Sequence, residues 1–279
     1  NGTPKHATYG GVERLRVSSQ AWKRATRKHF QDSMDKGDLG VRTRRLQALL
    51  SGLLVERGLD AEQAETRAHE LLTGLKLSDG KKAGESQYLL FAGRRQLEEL
   101  ADAAATSEDM QSVDALGILG STHPLDVALF GRMVANMTQL NVDAATQVAH
   151  AISTHGAQTQ FDYFTAVDDQ QEKDEAGAGM IGLVEFNSAI LYRFATVGLH
   201  QLVDNMGDLD AALDGVGRFV RSFALSMPSG HQNSFAPRTR PSLVALVVRD
   251  DQPVNLVNAF ETPVWSGKGG LMALSQTAL

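Results

Sequence analysis

Between Tyr9 and Lys28 the sequence prescribes its own local structure and then places charges that this structure does not need. Gly10-Gly11 marks a turn. Arg14-Leu15-Arg16-Val17 alternates polar and apolar residues, which predicts a short strand. Ser18-Ser19 follows as a helix cap, and a helix is expected from about Ser19 to Phe30. At the helical period, Gln20, Lys23, Arg24 and Arg27 share one face, while Ala21, Trp22, Ala25, His29 and Phe30 share the other. One face is built for a core and the other is cationic. Lys23/Arg27 and Arg24/Lys28 are like-charged pairs at i,i+4 spacing, each destabilising by roughly 0.2–0.5 kcal/mol, and the helix has no acid to offset them. Cations in the first turns also oppose the helix dipole. A serine-capped N-terminus with free N–H groups is in turn a ready anion site. A solvated charged face is the ordinary reading of such a run. The one-sided cluster and the missing acids point instead to a phosphate ligand.

The charge distribution over the whole chain agrees. The 279 residues carry a net charge of −6, which by itself argues against a polyanion ligand. Residues 1–45, however, hold eleven Lys/Arg against four acids, a balance of +7, so the remainder carries −13. A basic segment on an acidic body is an electrostatic footprint for nucleic acid. Cysteine is absent, which excludes a disulfide framework and thiolate metal sites and fits a reducing, cytoplasmic location. No apolar run is long enough for a membrane span and no signal peptide is visible, so no membrane partner is expected. The chain opens at Asn1 without methionine, and natural ends beyond both termini are expected.

Along the chain, Val41 to about Ser107 reads as helical, with Leu46, Leu49, Leu50, Leu53 and Leu54 as one stripe and Ala61–Leu75 as a second helix. Leu125–Met133 reads as a strand ending in a turn, and Ala144–Thr154 as a strand in preference to a helix. The charged run Asp168–Glu175 and the small residues after it predict a long projecting loop within 155–184. Glu185–Val197 reads as a central strand. Asp208 caps a helix whose expected buried stripe is Leu209, Leu213, Val216, Val220, Phe223 and Met227. Pro228–Gln232 is a tight loop, Ser242–Val248 an apolar strand, and Val254–Phe260 a further short element. Strands and helices in this order fit an α+β plan, one sheet with helices on one face.

Chemistry-bearing constellations are sparse. There is no phosphate-loop or dinucleotide fingerprint, no Gly-x-Ser-x-Gly elbow, and no cofactor is expected. Asp168-Asp169 is of the type that binds Mg²⁺, although such a pair more often turns a solvated loop. Met133, beside Gly131-Arg132, packs in a core by default, and exposed it would suit a wedge between bases. Gly230-His231-Gln232 is by default a helix-to-strand turn; near Arg238 and Arg240 it could approach a phosphate backbone.

Gly10-Gly11, Arg14, Arg16-Val17-Ser18-Ser19-Gln20, Lys23-Arg24 and Arg27 resemble the N-terminal motif of the CasC family, the backbone subunits of the type I-E CRISPR Cascade complex. Gly131-Arg132-Met133, Val148–His155, Phe164–Asp169, Glu185-Phe186, Tyr192-Arg193 and Asn258–Glu261 are similar to the same family in the same order; about 32–120 is not closely matched. The resemblance implies an RRM-like (ferredoxin-like) palm formed by 1–31 and 121–279, a helical fingers insertion at 32–120, and a thumb at about 155–184. It implies a non-catalytic protein that stacks with further copies of itself and other Cascade subunits along a CRISPR guide RNA. The thumb would kink the RNA for segmented pairing with target DNA. Of the basic segment and its implied surroundings, Lys5, Arg14, Arg16, Ser18, Ser19, Gln20, Lys23, Arg24, Arg27, Arg132, Met133, Gly230, His231 and Gln232 are the expected RNA-contacting residues. The family has a strand and loop before this motif, so a preceding strand is expected in the full protein. The competing hypothesis is an RNA-cleaving nuclease of the same fold using Asp168 and Asp169, or a histidine such as His155.

Overall fold

The computed structural model describes residues 3–78, 80, 82, 84–166 and 180–279. In chain order these form β1 (Lys5–Tyr9), β2 (Val12–Val17), α1 (Ser19–Gln31), β3 (Gly40–Thr43), α2 (Leu46–Glu56), α3 (Ala61–Gly74), β4 (Leu90–Gly93), α4 (Arg94–Thr106), α5 (Ala115–Gly120) and α6 (Leu125–Phe130). There follow β5 (Thr146–Val148), β6 (Ala151–Ser153), β7 (Gln160–Ala166), β8 (Met180–Phe186), β9 (Leu191–Tyr192), β10 (Ala195–Val197), α7 (Leu199–Met206), α8 (Leu209–Leu225), α9 (Gln232–Phe235) and α10 (Gly270–Ala278). Helices combined with small sheets give the expected α+β class, but the described strands form one four-stranded sheet and three two-stranded ones in place of the single sheet expected. Among the described residues no helix is long and apolar enough to cross a membrane.

One compact unit comprises Asn1–Arg24, Val148–Ala195 and Met227–Leu279. Its sheet has the order β1-β2-β6-β9, with each neighbouring pair antiparallel. Gly10 and Gly11 connect β1 to β2 with φ of 60° and 76°, the left-handed pair that a two-residue hairpin turn requires. A Cβ on Gly10 would lie 1.6 Å from the Glu261 carbonyl oxygen, so this position also needs glycine for close approach. β7 and β8 pair antiparallel in register from Gln160↔Phe186 to Ala166↔Met180, where a loop was expected up to 184, and β7 is exposed throughout. Asp168 and Asp169 lie outside the described residues.

Two strand expectations in this unit change. Glu185–Val197 is not one central strand but the end of β8, then β9 and β10, interrupted at 187–190 and at Arg193-Phe194. Ser242–Val248 belongs to no ladder and is exposed along its length, reaching 100% at Val248. β propensity is realised only against a neighbouring strand, and none of the described strands takes that place.

The second unit comprises Ala25–Gln147 and Thr196–Ser226. Its core joins Leu46, Leu50 and Leu54 of α2 to Ala64, Ala68, Leu71 and Leu72 of α3 and Leu97, Leu100, Ala101 and Ala104 of α4. The α2 residues belong to the stripe read from the sequence, of which Leu49 and Leu53 are only partly buried. Segment 32–120 lies within this unit. It also contains a ribbon, β3 paired with β4 from Gly40↔Gly93 to Thr43↔Leu90, where helix was expected throughout. Leu90–Gly93 is buried on every side, and such a short apolar run carries no period to identify it. The same ambiguity explains Leu125–Met133. It was expected as a strand and folds as α6, with Pro124 at its N-cap and Gly131 closing it at φ 74°. Asp208 caps α8 as expected, accepting the Ala211 N–H at 2.7 Å. The buried stripe is Ala212, Gly215, Phe219 and Ser222, whereas Leu209 and Leu213 are exposed.

Candidate nucleic-acid interface

β2 delivers the chain directly into α1, and the first unit holds this junction in a defined geometry. Ser18 is the cap, its Oγ accepting the Ala21 N–H at 3.3 Å and its carbonyl accepting the Trp22 N–H at 3.2 Å. The Ser19 N–H donates to His150 Nδ1 at 2.8 Å. Gln20 and Arg24 are exposed, and Lys23 is half-buried, with desolvation pulling its pKa below the usual lysine value. The inner face of the helix is anchored by Trp22, 1% exposed, with the Arg193 guanidinium stacked 3.6 Å above its ring. Burial pushes the Arg193 pKa down to about 10. On the neighbouring strands Lys5 stands directly opposite Arg16. Like charges so placed repel. Among the described residues, none of the ion pairs involves Lys5, Arg16, Lys23 or Arg24. One continuous stretch thus carries four cations without acid partners, a serine cap and an exposed glutamine.

Three other expected contacts are committed elsewhere. Arg14 is fully buried, donating through Nε to Tyr9 O (3.1 Å), Nη1 to Ser153 O (3.0 Å), and Nη2 to Phe260 O (2.8 Å) and Glu261 O (3.3 Å). It ties β2 to β6 and to the chain near Phe260. In the second unit Arg27 pairs with the buried Asp126 at 3.1 Å and stacks 4.1 Å from the Phe91 ring centre. Asp126 also accepts the Gly40 N–H at 2.8 Å, and its pKa is raised, burial outweighing the pull of Arg27. Arg132 donates to the carbonyls of Leu140 (2.6 Å), Phe91 (3.3 Å) and Leu119 (2.7 Å), and burial pushes its pKa down to about 10. Such arginines hold backbone carbonyls together, and their donors point into protein.

Met133, in the second unit, is 85% exposed, so it is not the core residue that methionine usually is. In the first unit Gly230, His231 and Gln232 are exposed. His231 adopts φ 49° with its ring 5.5 Å from Phe235, and Gln232 opens the single turn of α9. His155, the candidate nuclease histidine, faces Gly156 O through Nδ1 at 2.7 Å and accepts the Ile190 N–H through Nε2 at 3.1 Å. Both its nitrogens are engaged by backbone. Among the described residues no group of three or more His, Asp or Glu is placed to hold a metal ion. The contacts of His150 and Arg193 were not apparent in the sequence, because only the strand register brings them to α1.

A mixed α/β protein with a cationic, serine-capped face is the class that this geometry defines. The family described as CT1975-like protein matches residues 1–279, and the chain belongs to that family. No curated protein sequence matches it. A solved chain titled "CRISPR RNA-guided surveillance complex, pre-nicking" is 36% identical with a TM-score of 0.86, covering 99% of this chain and 81% of its own. Another, "CRISPR RNA-guided surveillance complex", is 31% identical with a TM-score of 0.73, covering 99% of this chain and 78% of its own. The resemblance to CasC read from the sequence agrees with these matches.

Proposed function

We propose that this protein is a backbone subunit of a type I-E CRISPR surveillance complex, binding the phosphate backbone of a guide RNA without cutting it. The observation that carries this reading is the run of cations around the α1 cap that have no acid partner among the described residues, on a chain whose remainder is strongly acidic. Lys5, Arg16, Ser18, Ser19, Gln20, Lys23 and Arg24 form the contact set. Arg14, Arg27 and Arg132 support the fold. Contacts to phosphate position a strand without reading it, which suits a guide whose sequence varies. The exposed Met133 and the β7–β8 hairpin are the elements available to distort the RNA as copies stack along it, leaving short segments for pairing with target DNA. Titration of the full-length protein with guides of unrelated spacer sequence tests the reading. Equal affinity for all spacers, with assembly into regular arrays in electron micrographs, is expected. Strong dependence on spacer sequence, or cleavage of the RNA, would overturn it.

A further inference from the structure

We propose that His150 is a contact residue of this interface that donates its Nε2–H to a phosphodiester oxygen of single-stranded RNA. The inference rests on the guide-binding reading above. Its starting point is a tautomer. Nδ1 accepts the Ser19 N–H at 2.8 Å, so Nδ1 carries a lone pair and the ring proton sits on Nε2. The imidazole is exposed, and among the described residues Nε2 has no hydrogen-bond partner. Desolvation, then Arg16, then Lys5 hold the pKa of this histidine below its usual value. At neutral pH the ring is therefore an uncharged donor.

Its surroundings define what it donates to. Arg16 lies opposite both Lys5 and Ile152, and Val17 lies opposite Ala151, so His150 follows the same register one step further along β2 toward Ser18. Lys5 and Arg16 form a like-charged cross-strand pair without an acid partner among the described residues. An acceptor placed against Nε2–H sits in the field of both cations, which favours an anionic oxygen. A histidine serving only to satisfy the Ser19 N–H would need Nδ1 alone. It would gain nothing from lying among cations that oppose its protonation.

Two measurements on the full-length protein with spacer RNA test this. The first is the NMR shift of the imidazole ring nitrogens, recorded with and without RNA. The Nε2–H signal of His150 is expected to move to a hydrogen-bonded shift in the complex, while the ring signals of the exposed His200 stay unchanged. The second is RNA affinity against salt for His150→Phe. Loss of one uncharged hydrogen bond predicts weakening by about three- to ten-fold. The slope of log affinity against log salt is expected to stay unchanged, because no cation has been removed. Wild-type protein that binds RNA with the His150 ring-nitrogen signals unmoved overturns the inference and leaves the guide-binding reading standing. A flattened salt slope in His150→Phe also overturns it, since the ring would then have acted as a cation. Failure of the wild-type protein to bind RNA overturns the guide-binding reading itself.

Discussion

Arg14→Met separates arginines that hold the fold from cations that hold a ligand. The substitution keeps most of the side-chain length and removes every donor. Four carbonyls lose their partner, and two of them, Ser153 and Phe260, are bonded in buried positions that water cannot replace. At about 1–3 kcal/mol for each buried carbonyl left without a donor, the loss is roughly 2–6 kcal/mol. Burying a thioether instead of a guanidinium recovers part of it, because the charged group no longer has to be desolvated. The net expectation is a destabilisation of about 3 kcal/mol, or a fall in Tm of roughly 6–12 °C for a chain of this size. Urea denaturation followed by the fluorescence of Trp22, buried in the same unit, measures it. The variant that remains folded at low temperature is expected to bind RNA with the wild-type salt slope. A destabilisation below about 1 kcal/mol together with a tenfold loss of RNA affinity would refute the reasoning and return Arg14 to the ligand-binding set.

Arg27→Met leaves the Asp126 carboxylate buried with backbone N–H groups but no cation, a loss expected at about 3–5 kcal/mol at neutral pH. Because burial already raises the Asp126 pKa, the folded variant binds its proton more readily than the unfolded chain. Its stability is expected to recover as pH falls through the carboxylate range in thermal melts. Gly10→Ala places a methyl group against the Glu261 carbonyl at φ 60°, and denaturation is expected to show a loss of at least about 2 kcal/mol. His123 is held to a pKa of about 4 by burial and by Arg132, against an ordinary value of 6.5. The unfolded chain therefore binds more protons than the fold between these values, so stability is full above 6.5 and falls as pH drops toward about 4. His123→Gln is expected to flatten denaturation midpoints across that window.

What the sequence made legible was whatever rests on local pattern. The β2–α1 junction, the α2 stripe, the existence of α3 and the Asp208 cap follow from periodicity, capping and turn chemistry, whereas the paired strands β7 and β8 lie where a loop was expected. Leu125–Leu129 and Leu90–Gly93 escaped because a short run buried on all sides has no amphipathic period. Within the basic stretch, sequence could count cations but not tell their uses apart. Arg14 and Arg16 are two residues apart on one strand. The first is fully buried among four carbonyls, while the second stands opposite Lys5 without an acid. That distinction depends on chain more than a hundred residues away, as does the pairing of Ser19 with His150. The reversed exposure of Leu209 and Leu213 has the same origin, since α8 offers apolar residues over a wide arc and packing decides which part is covered.

On the proposed function, the first-unit cations that have no acid partner among the described residues hold the RNA backbone, and Arg14, Arg27 and Arg132 do not. The most direct test is the salt dependence of RNA affinity for Lys23→Gln/Arg24→Gln, measured on two guides with unrelated spacers. Removing two phosphate contacts on single-stranded RNA predicts a slope of log affinity against log salt shallower by about 1.4, with equal weakening on both guides. A slope unchanged from wild type, or weakening on one spacer only, would contradict the claim.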